Sequence, residues 1–234
     1  MSDRSDWWDR LAVMLYYPAM ISTVIFDLDG LLSDTERLHY QAYHEALAEA
    51  GIPLTQAEYM AHWTRAGRNV EELLAARGCS ADTQAIRTRK AARFRELVRT
   101  AVQPMPGACE LLARLRGRKA LALGSSSYRE AVLCVTDALG MTRYFDAVAT
   151  RDDVARSKPF PDIFLRAAEA LHAAPAACVV IEDAERGVRA ALAAGMACIA
   201  VPGAYTQDND FSLATRVVRS LDEITLELLD SMCI

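Results

Sequence analysis

The sequence predicts an α/β protein, a doubly wound parallel sheet interrupted by an inserted block of helices. Three observations predict it. From residue 108 onward, short apolar runs of strand length alternate with amphipathic helical stretches, the rhythm of a parallel sheet with helices on both faces. An isolated apolar run, Ile21 to Phe26, precedes them, unbroken as a strand buried on both faces requires. Between the two lies a long stretch with helical spacing and no convincing strand. The organisation expected is an extension over residues 1–19, a core over 20–36 and 101–234, and a helical insert over 37–100.

The elements follow in order. After Glu36, residues Leu38, Ala42, Ala46, Leu47 and Ala50 recur at helical spacing, and Gly51 is a plausible stop. Thr55-Gln56-Ala57-Glu58 reads as a capping box opening a second helix. A third helix is expected from Asn69 to Arg77, stopping at Gly78, and an arginine-rich fourth from Thr83 to Thr100. Pro104-Met105-Pro106-Gly107 then punctuates the chain. Ala108, Leu111, Leu112 and Leu115 form an apolar helix face, and Lys119 to Gly124 a second strand. Helix and strand then alternate. Ala131 to Leu139 is helical, Phe145 to Thr150 extended, Ile163 to Leu171 helical and Ala177 to Ile181 extended. Val188 to Ala194 is helical and Ala197 to Val201 extended. Ser220-Leu221-Asp222-Glu223 reads as a capping box for a C-terminal helix.

Composition narrows the function. The chain has 234 residues, 52% of them hydrophobic, with net charge −5 and a pI near 5.4, so no basic face for nucleic acid is expected. Six cysteines are scattered without a Cys-x-x-Cys pair, which reads as buried thiols in a reducing compartment. The apolar stretch Leu11 to Met20 follows Asp3, Asp6 and Asp9, the wrong charge for a secretory signal. No stretch reaches the length of a membrane span. Residues 1–19 read as an extension outside the core, with helix expected through Trp7-Trp8. A cytoplasmic monomer is expected, with neither nucleic acid nor membrane as partner.

Chemistry concentrates at the strand ends. The first strand ends in Asp27 and Asp29, one residue apart and followed by Gly30. Aspartate and glycine are turn formers, but a turn does not need both acids. The second strand ends in Ser125, Ser126 and Ser127. A loop after the third carries Lys158, one of only three lysines, between Ser157 and Pro159. The fourth ends in Glu182 and Asp183. Parallel strands place these groups at one edge of the sheet, where open α/β sheets bind ligands. Four carboxylates together repel, and an all-oxygen set suits Mg²⁺.

Asp27-Leu28-Asp29-Gly30-Leu31-Leu32-Ser33-Asp34-Thr35-Glu36 resembles the first motif of the haloacid dehalogenase-like superfamily. Within it, the branch resembled is that of small-capped phosphatases and β-phosphoglucomutases. All four superfamily motifs are present in order, over residues 24–36 and about 107–203. The resemblance implies that Asp27 is a nucleophile forming an aspartyl-phosphate and Asp29 the general acid and then base. It implies Mg²⁺ held by Asp27, the Asp29 carbonyl and Asp183, with Glu182 close behind. Ser125 and Lys158 would hold the phosphoryl oxygens, Ser126 would offer a backbone N–H, and Ser127 is assigned to a capping box with Glu130. Dehalogenases of the superfamily lack an acid two residues after the nucleophile, because halide needs no proton. Asp29 therefore argues for phosphate esters.

In the helical cap, Thr35 and His39 occupy positions that reach the site in relatives, and Arg68 resembles a specificity-loop arginine. Arg65 reads as a solvated surface residue. β-Phosphoglucomutases carry a substrate-binding cap lysine. Lys90, among Arg87, Arg89, Arg93 and Arg95, reads instead as part of a solvated helix face, which counts against a mutase. The expectation is a Mg²⁺-dependent phosphatase for a small phosphorylated molecule, a sugar phosphate in class. A phosphosugar mutase and a non-catalytic phospho-ligand binder are the alternatives.

Overall fold

Strand β1 (Thr23–Phe26) lies at the centre of a six-stranded sheet in a computed structural model that describes residues 20–232. Its neighbours are β2 (Ala120–Gly124) and β4 (Cys178–Glu182). Strand β3 (Ala147–Ala149) flanks β2, while β5 (Ala197–Ala200) and the two-residue β6 (Arg216–Val217) extend the other side. All pairings are parallel. The order β3-β2-β1-β4-β5-β6 reverses direction at β1, which makes the carboxyl end of β1 the switch point where such sheets bind ligands. Strand β6 has no apolar run to announce it; both its residues are exposed on the sheet edge.

Side chains alternate across the sheet with period two. Val24 and Phe26 of β1, Leu121 and Leu123 of β2, and Val179 and Ile181 of β4 face one core layer. Ile25, Ala122 and Val180 face the other. The first layer is covered by α5 (Ala108–Leu115) and α6 (Arg129–Ala138), the second by α7 (Asp162–Ala170) and α8 (Glu185–Ala193). Both layers bury valine, isoleucine and phenylalanine side chains completely, and the first buries leucines as well, each worth roughly 1.5–3 kcal/mol of transfer free energy.

Between β1 and β2 stand α1 (Glu36–Ala48), α2 (Gln56–Tyr59), α3 (Val70–Ala76) and α4 (Thr83–Ala101). The capping box at Thr55 forms, and Asn69 makes a second with Glu72. Helix α2 runs directly into a π-helical stretch, Met60–Arg65. Helices α1 and α4 pack together, and a third apolar cluster around Leu47, Tyr59, Leu73 and Ile86 holds the block.

Two capping expectations fail. Ser220 makes no side-chain cap; a 3₁₀ turn over Leu221–Glu223 follows it, and the C-terminal helix α9 (Leu226–Asp230) is capped by Thr225. Ser127 caps nothing either, since α6 begins at Arg129 with Tyr128 in the cap position. The helix expected near Trp7-Trp8 lies outside the described residues. No described helix is long and apolar enough to cross a membrane.

Candidate active site

The site is built where β1 ends. Phe26 is level with Leu123 of β2 and Ile181 of β4, so the residues at the ends of those three strands meet. They are Asp27, Ser125, and the pair Glu182 and Asp183, all buried. Gly30, at φ +85°, turns the chain back over the site. A Cβ there would stand 2.6 Å from an Asp183 carboxylate oxygen, so only glycine lets the turn approach.

Lys158 enters from the loop before α7. Its buried ammonium donates to Asp27 Oδ1 and, at 2.7 Å, to Glu182 Oε1, and it lies over the Phe164 ring. Burial opposes its charge, but Asp27 and Glu182 outweigh that and raise its pKa. The other Glu182 oxygen accepts the Ala184 backbone N–H at 2.9 Å. Gly187 leaves room for this carboxylate: a Cβ there would fall 1.8 Å from Glu182 Oε1.

One oxygen each from Asp27, Glu182 and Asp183 lies within 4.8 Å of the others. Lys158 supplies a single positive charge to three acids. The deficit appears in their titration. Burial pushes Asp27 up to about 7, against the pull of Lys158, with Glu182 and Asp29 adding repulsion. Burial also raises Asp183 well above the carboxylate range, reinforced by Glu182, Asp27 and Glu36. A buried, oxygen-only set short of positive charge fits a hard divalent cation such as Mg²⁺.

Asp29 is held differently. It accepts from Thr35 Oγ1 at 2.6 Å and from Ser127 Oγ at 2.7 Å, while Ser125 Oγ donates at 3.3 Å. His39 Nε2 lies 3.1 Å from its Oδ1. Burial works against the charge, but His39 and these donors overcome it and hold Asp29 well below the usual carboxylate range. Two carboxylates two residues apart thus sit in opposite electrostatic states.

The ring continues into the helical block. Lys90 Nζ lies 2.8 Å from His39 Nδ1 and over the rings of Tyr43 and Phe94. His39 stacks on Phe94 with centroids 4.1 Å apart. Burial pushes Lys90 down to about 8, against Asp29 and Glu36. This corrects the reading of Lys90 as part of a solvated face. Its arginine neighbours do form that face, in ion pairs such as Arg87–Glu71 and Arg89–Glu49.

Two of the remaining residues depart from the sequence reading or escape it. Ser127 belongs to the Asp29 ring, not to a helix cap. Glu36 accepts from Tyr59 at 3.0 Å and Thr64 at 3.3 Å, tying the π-helical stretch to the start of α1. Arg65 is exposed, as a solvated surface arginine should be, and lies 3.8 Å from Asp208. Ser125 Oγ, besides facing Asp29, accepts the Ser127 N–H at 3.0 Å, and Ser126 Oγ is buried without a partner. Arg68, next to Gly67 in the chain, is exposed.

Comparison with known proteins agrees with this geometry. The family profile described as haloacid dehalogenase-like hydrolase matches residues 21–195. The chain is 33% identical over 179 residues to the fructose-1-phosphate phosphatase YqaB of Escherichia coli K12, covering 76% of this chain and 95% of that one. It is 32% identical over 218 residues to the β-phosphoglucomutase of Bacillus subtilis, covering 89% and 94%. The crystal structure of CbbY from Rhodobacter sphaeroides in complex with phosphate superposes with a TM-score of 0.82 at 32% identity, over 90% of this chain and all of that one. With its four strand-end groups gathered at the switch point, the chain belongs to the haloacid dehalogenase-like hydrolase family, on its phosphatase side.

Proposed function

We propose that the chain hydrolyses a small phosphate monoester, a sugar phosphate in class, through a phosphoenzyme on Asp27. The observation that carries the reading is the division of labour between Asp27 and Asp29. Asp27 faces an ammonium and two further acids, while Asp29 faces only hydrogen-bond donors and His39. In the first step an Asp27 oxygen attacks phosphorus, the bond to the leaving oxygen breaks, and that oxygen takes a proton from Asp29. The depressed pKa means that Asp29 must first gain this proton, and His39, backed by Lys90, lies in contact to pass it on. In the second step Asp29 removes a proton from water, which attacks the phosphoryl group and frees Asp27 and inorganic phosphate. Lys158 and the Ser125–Ser127 turn balance the phosphoryl oxygens.

Asp27, Glu182 and Asp183, with the Asp29 carbonyl, would hold Mg²⁺, which would supply further charge neutralisation. Thr35 and His39 orient Asp29, and Arg68 faces incoming substrate at the rim. A mutase is a second reading, favoured by Lys90: a lysine does reach the cleft from the helical block.

The test is phosphate release from a panel of sugar phosphates, with Mg²⁺ and with chelator. Asp27→Asn should abolish release while leaving the fold intact, and acid-quenched wild type should carry a phosphoryl group that the variant lacks. Turnover by Asp27→Asn near the wild-type rate would overturn the mechanism. Conversion of β-glucose 1-phosphate to glucose 6-phosphate without net phosphate release would establish the mutase reading instead.

A further inference from the structure

The segment that follows β5, residues 201–210, touches both the acid pair and the helical block. Thr206 is its buried centre. Thr206 Oγ1 accepts the Gly203 N–H at 3.0 Å. A hydroxyl that accepts one bond keeps its own proton to donate. Here the oxygen lies 3.5 Å from Asp183 Oδ2, at the long end of hydrogen-bond range. Two more bonds fasten the segment to the first turn of α8. The Glu185 N–H donates to Asn209 Oδ1 at 3.1 Å, and the Asp210 N–H donates to Glu185 Oε2 at 3.2 Å.

The residues on either side of Thr206 meet the helical block. Gln56 Nε2, at the start of α2, donates to the Tyr205 hydroxyl at 3.3 Å. Arg65 Nη2, at the end of the π-helical stretch, lies 3.8 Å from Asp208 Oδ2. Arg186, one residue past Glu185, adds a third contact: a Cβ on Gly67 would stand 3.3 Å from its Nη1. The first two are exposed and individually weak. All three land on chain that is fastened to Asp183 or follows it closely. The block joins the core by two crossings bonded to each other, Asp34 N–H to Gln103 O at 3.0 Å and Gln103 N–H to Asp34 Oδ1 at 2.8 Å. Paired crossings make a hinge, so the seating of the block on the core depends on side-chain contacts of this kind.

We propose that Thr206 is a positioning residue for the Asp183 carboxylate, and that its segment is a strap through which seating of the helical block and cation binding at Asp183 favour each other. This rests on the reading of Asp183 as a cation ligand. The basis is one hydroxyl with two commitments, to the strap at Gly203 and to Asp183. A block that swings away pulls on Tyr205 and Asp208, draws Thr206 Oγ1 off Asp183 and frees that carboxylate to turn. A seated block holds it. Coupling between two sites is reciprocal, so fixing Asp183 on a cation holds the strap and the block in turn.

The experiment titrates Mg²⁺ calorimetrically into wild type, Thr206→Val, Thr206→Ser and a block-side double variant, Gln56→Ala with Arg65→Met. Thr206→Val matches the size but lacks the hydroxyl, and should weaken Mg²⁺ binding by about tenfold or more. Thr206→Ser keeps the hydroxyl and should stay within about threefold of wild type. The block-side variant separates coupling from charge. Removing the Arg65 cation would by Coulomb repulsion alone tighten Mg²⁺ binding, whereas the strap predicts weakening by about threefold or more. Combined with Thr206→Val it should cost nothing further, because the link it cuts is already broken. Full affinity in Thr206→Val, unchanged or tighter binding in the block-side variant, or additive losses in the combination would each overturn the proposal. If the wild type binds no Mg²⁺, the cation reading fails, and the strap is judged by hydrogen exchange without cation. Faster exchange over residues 56–67 in Thr206→Val than in Thr206→Ser upholds the link from Asp183 to the block; equal exchange overturns it.

Discussion

Lys90 Nζ and His39 Nδ1 lie 2.8 Å apart, which fixes the histidine's tautomer. An ammonium can only donate, so His39 Nδ1 accepts and its remaining proton is on Nε2, aimed at Asp29. A lysine on α4 thereby reaches the Asp29 carboxylate on the β1 loop through one ring.

Replacing Lys90 with methionine separates its two effects. Its pKa in the fold, about 8, lies below that of the unfolded chain, so the native state binds fewer protons between those values. Stability then rises with pH from about 8 toward the ordinary lysine value, and below that window the buried charge is a full cost. Lys90→Met should melt at a higher temperature than wild type at pH 7, with the gap narrowing by pH 10. Its activity should fall, because His39 loses the partner that fixes its proton. A lower melting temperature at pH 7 would contradict this account.

Much of the architecture was legible because β1, β2, β4 and β5 are short apolar runs whose period does not depend on distant partners. The strand-end acids were legible for the same reason: strand direction alone puts Asp27 and Asp183 at one edge. Lys90 was misread because its arginine neighbours dominated the local impression. The helical phase did carry the signal, since Ile86, Lys90 and Phe94 are four residues apart and Ile86 and Phe94 are buried on α4. Ser127 was misread because a capping box needs only sequence, whereas its actual partner, Asp29, is brought near by the pairing of β1 with β2. Strand β6 and the π-helical stretch have no local pattern of their own.

Ser127 and Ser125 should separate on mutation. Ser127 Oγ donates to Asp29 at 2.7 Å, Ser125 Oγ at 3.3 Å. Hydrogen bonds to a charged group contribute roughly 1.5–3 kcal/mol, so Ser127→Ala should destabilise by that order. Because the folded pKa of Asp29 lies below its unfolded value, this contribution is complete at neutral pH. It is lost only as pH falls below the ordinary aspartate value toward the depressed one. Denaturant titrations at pH 7 check it. A deficit at pH 7 near zero would mean that the Ser127 hydroxyl does not hold the Asp29 charge.

A divalent cation should stabilise the protein most at neutral pH and above. Burial pushes Asp27 up to about 7 and raises Asp183 well above the carboxylate range, so without a cation the folded state binds more protons than the unfolded chain through the mildly acid range. Stability without a cation therefore falls as pH rises from the ordinary aspartate value to about 7. Mg²⁺ at a hundredfold excess over its Kd should add about 2.7 kcal/mol. Asp183→Asn should abolish that gain while raising the stability of the cation-free protein at pH 7, because it removes one of three crowded charges. Scanning calorimetry with Mg²⁺ and with chelator reads both effects, and a gain undiminished in Asp183→Asn would move the cation elsewhere.

Gly187 offers the sharpest steric test. It lies inside α8 and has ordinary helical backbone, so alanine would normally favour the helix by about 1 kcal/mol. Here the added methyl would collide with the Glu182 carboxylate, whose oxygens hold Lys158 and the Ala184 N–H. The carboxylate cannot retreat, since it is 2% exposed and closed in by the sheet. Gly187→Ala should therefore lose roughly 1–3 kcal/mol of stability, reversing the helix-propensity expectation. Lys158 would lose one acceptor and turn wholly to Asp27, blunting it as the proposed nucleophile, so turnover should fall further than stability alone explains. Measuring kcat at a temperature where the variant is fully folded separates the two losses. Wild-type turnover there would mean that Glu182 does not position Lys158.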